Sequence, residues 1–172
     1  YLPQHLPQAT NMTAKELVAM GRYAWNGLFG KETEADKQAV ARALQLTHTE
    51  TFAEQLVDTL SGGERSQIWL AMLLAQQSQF LLLDEPLAAL DIAHQVEVMQ
   101  LVHQLSRELN LGVIVVIHDI NLASRFCDHL IALHSGKLLA QGNAHEIVNT
   151  PSLQQIYGIE LNVIDHPKTH RP

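Results

Sequence analysis

The stretch Phe80-Leu81-Leu82-Leu83-Asp84-Glu85-Pro86 decides the fold class. Its apolar run ends abruptly in two carboxylates and a proline, which is typical of a short strand covered on both faces and closed by a turn. A second apolar run, Val113 to Ile117, has the same character. Between the runs, apolar residues recur at helical spacing from Ile92 to Leu109, behind Asp91 as N-cap. Strand, helix and strand in this order predict a parallel α/β sheet with a right-handed crossover.

The chain before the first strand reads as helical. A capping box predicts a helix after Thr13. Hydrophobic periodicity predicts a second helix near Thr33 and a third just after Ser61-Gly62-Gly63. Beyond the second strand, the pattern predicts an edge hairpin of two strands, Leu130–Leu133 and Lys137–Ala140. Two short helices are predicted to follow, from about Ala144 and about Ser152.

Composition limits the class of protein. The chain has 172 residues, 47% of them hydrophobic and 17% charged, which is enough for a buried core without disulfides. Its only cysteine, Cys127, excludes an internal disulfide and indicates a reducing compartment. The net charge of −7 argues against a nucleic-acid binder, which needs clustered Lys and Arg. No apolar run approaches the roughly 20 residues of a membrane span. The start at Tyr1, without a signal-peptide pattern, predicts a cut N-terminus.

Two places in the sequence carry residues suited to phosphate chemistry. Asp84 and Glu85 follow a strand, where ligands bind in open α/β sheets; an Asp there suits Mg²⁺, and an adjacent Glu can align a water. His118 follows the second run and is expected at the same sheet edge. Ser61-Gly62-Gly63 at a helix start is a potential anion site. The alternatives are a solvated turn at Asp84-Glu85-Pro86, a structural His118 and an ordinary helix entry at Ser61.

Taken together, the motifs resemble a known family. Leu60–Glu64 (LSGGE), Leu81–Pro86 (LLLDEP), Leu87–Asp91 (LAALD) and a strand ending in His118-Asp119 occur in that order. They are similar to the signature loop, the Walker B motif, the D-loop and the switch histidine of ATP-binding-cassette (ABC) transporter subunits, and Tyr1–Gln4 is similar to the Q-loop. The resemblance implies a P-loop NTPase-like α/β cassette, with a helical subdomain followed by a mostly parallel sheet and crossover helices.

The same resemblance implies a role for each motif residue, with ATP and Mg²⁺ as cofactors. Glu85 would deprotonate the attacking water, and His118 would contact the γ-phosphate. Asp84 and Gln4 would form the Mg²⁺ site. Asp91 would act across the seam between two cassettes. The residues implied to bind nucleotide are Gln4, Ser61, Gly62, Gly63, Glu64, Asp84 and Asp91.

Flanking segments narrow the resemblance to ATPases of iron-siderophore importers, especially the ferric hydroxamate (ferrichrome) type. These segments are Tyr1–Gln4, Gly21–Trp25, Asp91–Val98, His118–Ala123 and Ile156–Ile159. The implied partners are transmembrane permease subunits, a second cassette such as another copy of the chain, and indirectly a periplasmic or surface substrate-binding protein, but no nucleic acid. The implied location is the cytoplasmic face of the inner membrane, peripherally bound. The alternatives are a vitamin B12 or haem importer, a catalytically incomplete cassette, and a soluble ABC ATPase acting on ribosomes or DNA.

One departure concerns the phosphate-binding loop. The Walker A pattern G-x-x-x-x-G-K-[ST] does not occur in these 172 residues, so we expect this chain by itself not to hydrolyse ATP. The chain then reads as one partial cassette: a helical signature subdomain over about 5–77, a Walker B and switch part over 78–158, and a polar tail over 159–172. Within the helical part, Leu28 and Phe29 are candidates for a groove that receives a permease helix.

Overall fold

The computed structural model describes residues 1–27, 31–88 and 90–164. Leu28 and Phe29 of the predicted groove, and Ala89 of the D-loop, lie outside the described residues. The chain divides into two compact units, Tyr1–Val116 and Ile117–Pro172, and each is described by itself. No helix within the described ranges is both long enough and apolar enough to cross a bilayer.

The first unit is helical on either side of a pair of strands. Its helices are α1 (Ala14–Met20), α2 (Tyr23–Asn26), α3 (Glu34–Leu46), α4 (Gly62–Ala75) and α5 (Ile92–Glu108), with single-turn 3₁₀ helices at Glu50–Phe52 and Val57–Thr59. Its strands are β1 (Phe80–Asp84) and β2 (Gly112–Val116). Helices α1 and α3 pack on α4, and Val18, Ile68 and Leu73 are fully buried there.

Capping boxes start three of these helices. Thr13, Thr33 and Ser61 each accept a hydrogen bond from the backbone three residues on, and an acidic side chain at that position accepts one in return. The helix starts predicted at Thr13 and Thr33 are therefore confirmed. The third helix begins at Gly62, not after Gly63, because Ser61 itself is the N-cap. Both glycines therefore lie in the first turn of α4, where their N–H groups have no partner within the helix.

A buried ion pair joins three helices of the first unit. The Arg22 guanidinium donates to Asp36 Oδ1 over 2.8 Å, and both side chains are more than 90% buried. Arg22 also donates to the Ala75 carbonyl at the end of α4 and stacks on the Trp25 ring. Asp36 uses its other oxygen to accept from Thr33, the N-cap of α3. The ends of α1, α3 and α4 thus meet at one satisfied pair of charges.

Strands β1 and β2 pair in parallel, as predicted, with Phe80 opposite Gly112 and Asp84 opposite Val116. Leu81 and Leu83 point to one side and are 3% and 2% exposed. The opposite side, which we call the open face, carries Phe80, Leu82, Ile114 and Val116, all exposed. The prediction that both faces of these strands are covered is therefore wrong for residues 1–27, 31–88 and 90–164, among which only the Leu81 and Leu83 side of β1 is buried.

The second unit contains a hairpin between short helices. Its elements are α6 (Ile120–Phe126), β3 (Leu130–His134), β4 (Lys137–Gly142), α7 (Ala144–Ile147) and α8 (Thr150–Tyr157). Strands β3 and β4 are antiparallel and turn at Ser135 and Gly136, both with positive φ, as a tight hairpin turn requires. The predicted edge hairpin is confirmed. Leu130, Ile147 and Leu153 form the centre of this unit's core.

Candidate functional site

The N-terminal residues lie along β1 and end at its carboxylates. The Leu2 N–H donates to the Leu82 carbonyl over 2.8 Å, and the Asp84 N–H donates to the Leu2 carbonyl over 2.9 Å. These two bonds make Leu2 the parallel neighbour of Leu83. Tyr1 and Gln4 are thereby held beside the carboxyl end of β1, although they are more than eighty positions from it in sequence.

Four side chains, which we call the carboxylate cluster, meet at this end of β1: Tyr1, Gln4, Asp84 and Glu85. The Gln4 amide donates from Nε2 to Glu85 Oε2 over 2.6 Å, and the Tyr1 hydroxyl donates to Asp84 Oδ2 over 2.9 Å. This hydrogen bond to Asp84, with some burial and the carboxylate's charge, raises the pKa of Tyr1. The structure thus brings three predicted site residues together. It adds Tyr1, which no sequence pattern marks because its contact with Asp84 is wholly non-local.

Glu85 has an unusual backbone. Its φ is +46°, the left-handed region that residues with a Cβ rarely adopt, and its N–H is held by the Val116 carbonyl over 3.1 Å. Such conformations cost about 1–3 kcal/mol and persist where the surrounding structure enforces them, often at active sites. The bond to β2 supplies that enforcement. The strain therefore supports a functional assignment for Glu85.

The donor set of the carboxylate cluster fits Mg²⁺. Asp84 offers a carboxylate, and Gln4 has its carbonyl oxygen left over after its nitrogen bonds Glu85. Mg²⁺ prefers such oxygen ligands and usually takes only one or two from protein, with water and phosphate supplying the rest. Across the described ranges, no group of three His, Cys, Asp or Glu side chains could hold a metal ion. The cluster thus suits a metal that arrives with phosphate, not a metal caged by protein.

The signature loop forms a second group around the N-terminus of α4. The Ser61 hydroxyl accepts from the Glu64 N–H over 3.3 Å, and Glu64 Oε2 accepts from the Ser61 N–H over 2.8 Å. These hydrogen bonds from Ser61, and then the nearby charge of His94, lower the pKa of Glu64. Ser61 and Gly62 are exposed, whereas Gly63 is buried. The loop thus presents a hydroxyl and the free N–H groups of a helix start, which suit an anion.

His94 packs against the signature loop and is hydrogen-bonded to Asp91. Asp91 caps α5, its Oδ1 accepts from the His94 N–H over 3.0 Å, and its Oδ2 lies 2.8 Å from His94 Nδ1. The imidazole in turn covers Gly63: a Cβ at that position would lie 2.5 Å from His94 Cδ2. Sequence reasoning did not single out His94. The available signal was its spacing, three residues after an Asp N-cap.

His118 lies in the second unit, two residues beyond the end of β2. Its backbone carbonyl accepts from the Tyr157 hydroxyl over 3.2 Å, and the next residue, Asp119, caps α6. Burial, and then the charge of Asp119, raises the pKa of Tyr157. The location of the His118 side chain at the sheet edge of Asp84 stays a prediction.

Comparison with known proteins places the chain in a family. The sequence profile of the ABC transporter family matches residues 1–88. Two curated relatives are similar over 99% of the chain: the ferric enterobactin transport ATP-binding protein FepC of Escherichia coli, at 43% identity, and the iron(3+)-hydroxamate import ATP-binding protein FhuC of Bacillus subtilis, at 38%. The chain spans 63% and 64% of the lengths of these relatives.

A solved structure agrees with the sequence relatives. An inward-facing metal-chelate type ABC transporter superposes on 99% of the chain and is itself covered to 70%, with a TM-score of 0.90 at 24% identity. At that identity the likeness shows the fold, which is the α/β cassette expected from the motifs. With the profile matching more than half of the residues, the chain belongs to the ABC transporter family.

Proposed function

We propose that this chain is part of an ATP-binding subunit that couples ATP hydrolysis to the import of a ferric siderophore complex. The carboxylate cluster is the observation that carries the proposal, because it presents a strained Glu85 with one oxygen held by Gln4 next to a carboxylate suited to Mg²⁺. Membership of the family supports ATP as the ligand.

The carboxylate cluster supports a division of labour in hydrolysis. Mg²⁺, when bound, would be held by Asp84 and Gln4 and would offset the negative charge of the phosphates. Gln4 donates to Glu85 Oε2 and so orients the carboxylate that would accept a proton from an attacking water. Tyr1 holds one oxygen of Asp84 and so orients that carboxylate. In this scheme, Glu85 is the general base and His118 contacts the γ-phosphate.

The signature loop serves the nucleotide of a second cassette. Ser61, Gly62 and Gly63 offer a hydroxyl and backbone N–H groups to the γ-phosphate, with Glu64 fixing the loop and Asp91 beside it. We therefore propose that two cassettes, such as two copies of this subunit, close on two ATP molecules. The cassettes would close at the cytoplasmic face of the inner membrane and so move transmembrane permease subunits. These permease subunits would receive their cargo from a substrate-binding protein.

The proposed cargo is a ferric siderophore, and within that class a ferric hydroxamate. Two kinds of observation support it: the flanking segments quoted above, and the relatives named for ferric enterobactin and iron(3+)-hydroxamate. Nothing in the described site contacts the cargo, so the assignment must be tested by transport.

The substitution Glu85→Gln tests the proposed chemistry in a protein that joins this chain to a Walker A segment. Gln is nearly isosteric and leaves Asp84 in place, but it cannot accept the proton. ATP hydrolysis should fall by about 10²-fold or more, while dimers form with Mg·ATP and persist. Glu54→Gln, which alters an exposed carboxylate near α1, is the matched control and should change neither. Unchanged hydrolysis in Glu85→Gln would reassign the base.

The same variants test the cargo in cells that lack the gene. The parent protein and Glu54→Gln should restore uptake of labelled ferric hydroxamate, and Glu85→Gln should not. Restoration of vitamin B12 or haem uptake instead would support the assignment as a transport ATPase and contradict the assignment of a siderophore as cargo.

A further inference from the structure

His94 is the one side chain that touches both the D-loop and the signature loop in the contacts described above. Its ring nitrogen Nδ1 lies 2.8 Å from Asp91 Oδ2, and its ring carbons cover Gly63 in the first turn of α4. Asp91 is the N-cap of α5 and Gly63 lies in the first turn of α4, so the imidazole bridges two helix starts that are about thirty residues apart in sequence.

The ring is fixed in orientation by these two contacts. Asp91 holds the backbone N–H of His94 with one oxygen and the ring nitrogen with the other. Because Nδ1 donates to Asp91, the second nitrogen, Nε2, carries any further proton. Gly63 permits the close approach, since a side chain at that position would overlap the ring. The close packing therefore depends on both residues.

We infer that His94 is a positioning residue of the proposed nucleotide site, because its ring locks Asp91 to the signature loop so that both approach the opposite nucleotide as one rigid surface. The inference rests on the proposed function. In this role His94 does not contact nucleotide, and it acts only through Asp91 and Gly63.

The charges that face His94 make the lock sensitive to protons. Asp91 and Glu97 lie on its own helix and Glu64 faces it from α4, and all three are acidic. The hydrogen bond and charge of Asp91, followed by the charges of Glu97 and Glu64, raise the pKa of His94 despite some opposing burial. The ring is thus charged below this raised pKa and pairs with Asp91 as an ion. As pH rises through it, the charge is lost and the lock weakens.

The test measures ATP-driven dimerisation against pH in the Glu85→Gln protein, which binds Mg·ATP without consuming it. His94→Phe keeps a ring over Gly63 but loses the bond to Asp91, and His94→Asn keeps an N–H donor but does not titrate. His103→Phe, on the same helix and away from the loop, is the matched control. Sedimentation at pH 6 and pH 8.5 gives the dimer dissociation constant of each.

Loss of an exposed ion pair changes an equilibrium constant by about threefold, and each dimer contains two copies of the pair. In the Glu85→Gln protein that keeps His94, the dimer dissociation constant should therefore rise between pH 6 and pH 8.5 by about tenfold more than it does in the His94 variants. His103→Phe should show the same pH dependence as the Glu85→Gln protein that keeps His94. At both pH values, His94→Asn should have a lower dimer dissociation constant than His94→Phe. Equal pH profiles in the parent and both His94 variants would overturn the inference alone. Absence of an ATP-driven dimer in the Glu85→Gln protein at every pH would overturn the proposed function, and the inference with it.

Discussion

Glu85 combines the proposed chemistry with an unfavourable backbone, and the two can be separated by substitution. Glu85→Ala and Glu85→Gly both remove the carboxylate and its bond to Gln4. Only alanine keeps a Cβ at φ +46°, so the glycine variant should be more stable than the alanine variant by about 1 kcal/mol. This order reverses the usual one, and urea unfolding of the 172-residue chain measures it.

The control for this comparison is Glu97, in the middle of α5. There, Glu97→Gly should be less stable than Glu97→Ala by about 1 kcal/mol, because glycine loses more backbone entropy in a helix. The same order at both positions would show that the left-handed conformation of Glu85 is not enforced in solution.

At the scale of elements, the Arg22–Asp36 pair joins α1, α3 and α4. Removing one member leaves a buried charge without its partner, so Arg22→Met should lower the free energy of unfolding by about 3–5 kcal/mol. Lys15→Met is the matched control, because Lys15 faces Glu54 over 3.5 Å with both side chains more than half exposed. It should cost less than about 1 kcal/mol by the same urea measurement. Similar losses in the two variants would contradict the role of the buried pair.

For the whole molecule, sequence predicted what local rules decide. The N-caps Thr13 and Asp91 were predictable because capping depends on residues two to three apart, and the helix that starts after Thr33 was predictable from its apolar spacing. The parallel pairing of β1 and β2 followed from the intervening helix. The hairpin followed from its two-residue turn, Ser135-Gly136. In the site, Asp84 and Glu85 were predicted from their position at the end of an apolar strand, and Gln4 from its resemblance to the Q-loop.

Two of the features that sequence reasoning missed are non-local contacts. Tyr1 reaches Asp84, and His94 reaches Gly63, only after the chain has folded, and neither pair has a spacing rule. The start of α4 was misplaced by two residues because glycines read as a loop, although Ser61 and Glu64 form a recognisable capping box. The prediction that both faces of β1 and β2 are covered failed for a different reason. An apolar run shows that a strand can be buried, but it does not show which residues pack on it.

The open face of β1 and β2 has a consequence for colloidal behaviour. Leu82 and Ile114 are cross-strand partners, 46% and 62% exposed, on an apolar surface of the kind that drives association. The net charge of −7 opposes this by mutual repulsion, which salt screens. The 172-residue chain should therefore self-associate more strongly as ionic strength rises, as seen by light scattering.

The paired change Leu82→Thr with Ile114→Thr keeps strand-forming residues and should suppress that association. Ile131→Thr on β3, where the side chain is also 62% exposed, should not. Equal scattering by parent and paired variant would assign the attraction elsewhere. If the expected order holds, the single cross-strand pair Leu82–Ile114, balanced against long-range electrostatic repulsion, limits the concentration that a solution of this polypeptide can reach before it aggregates.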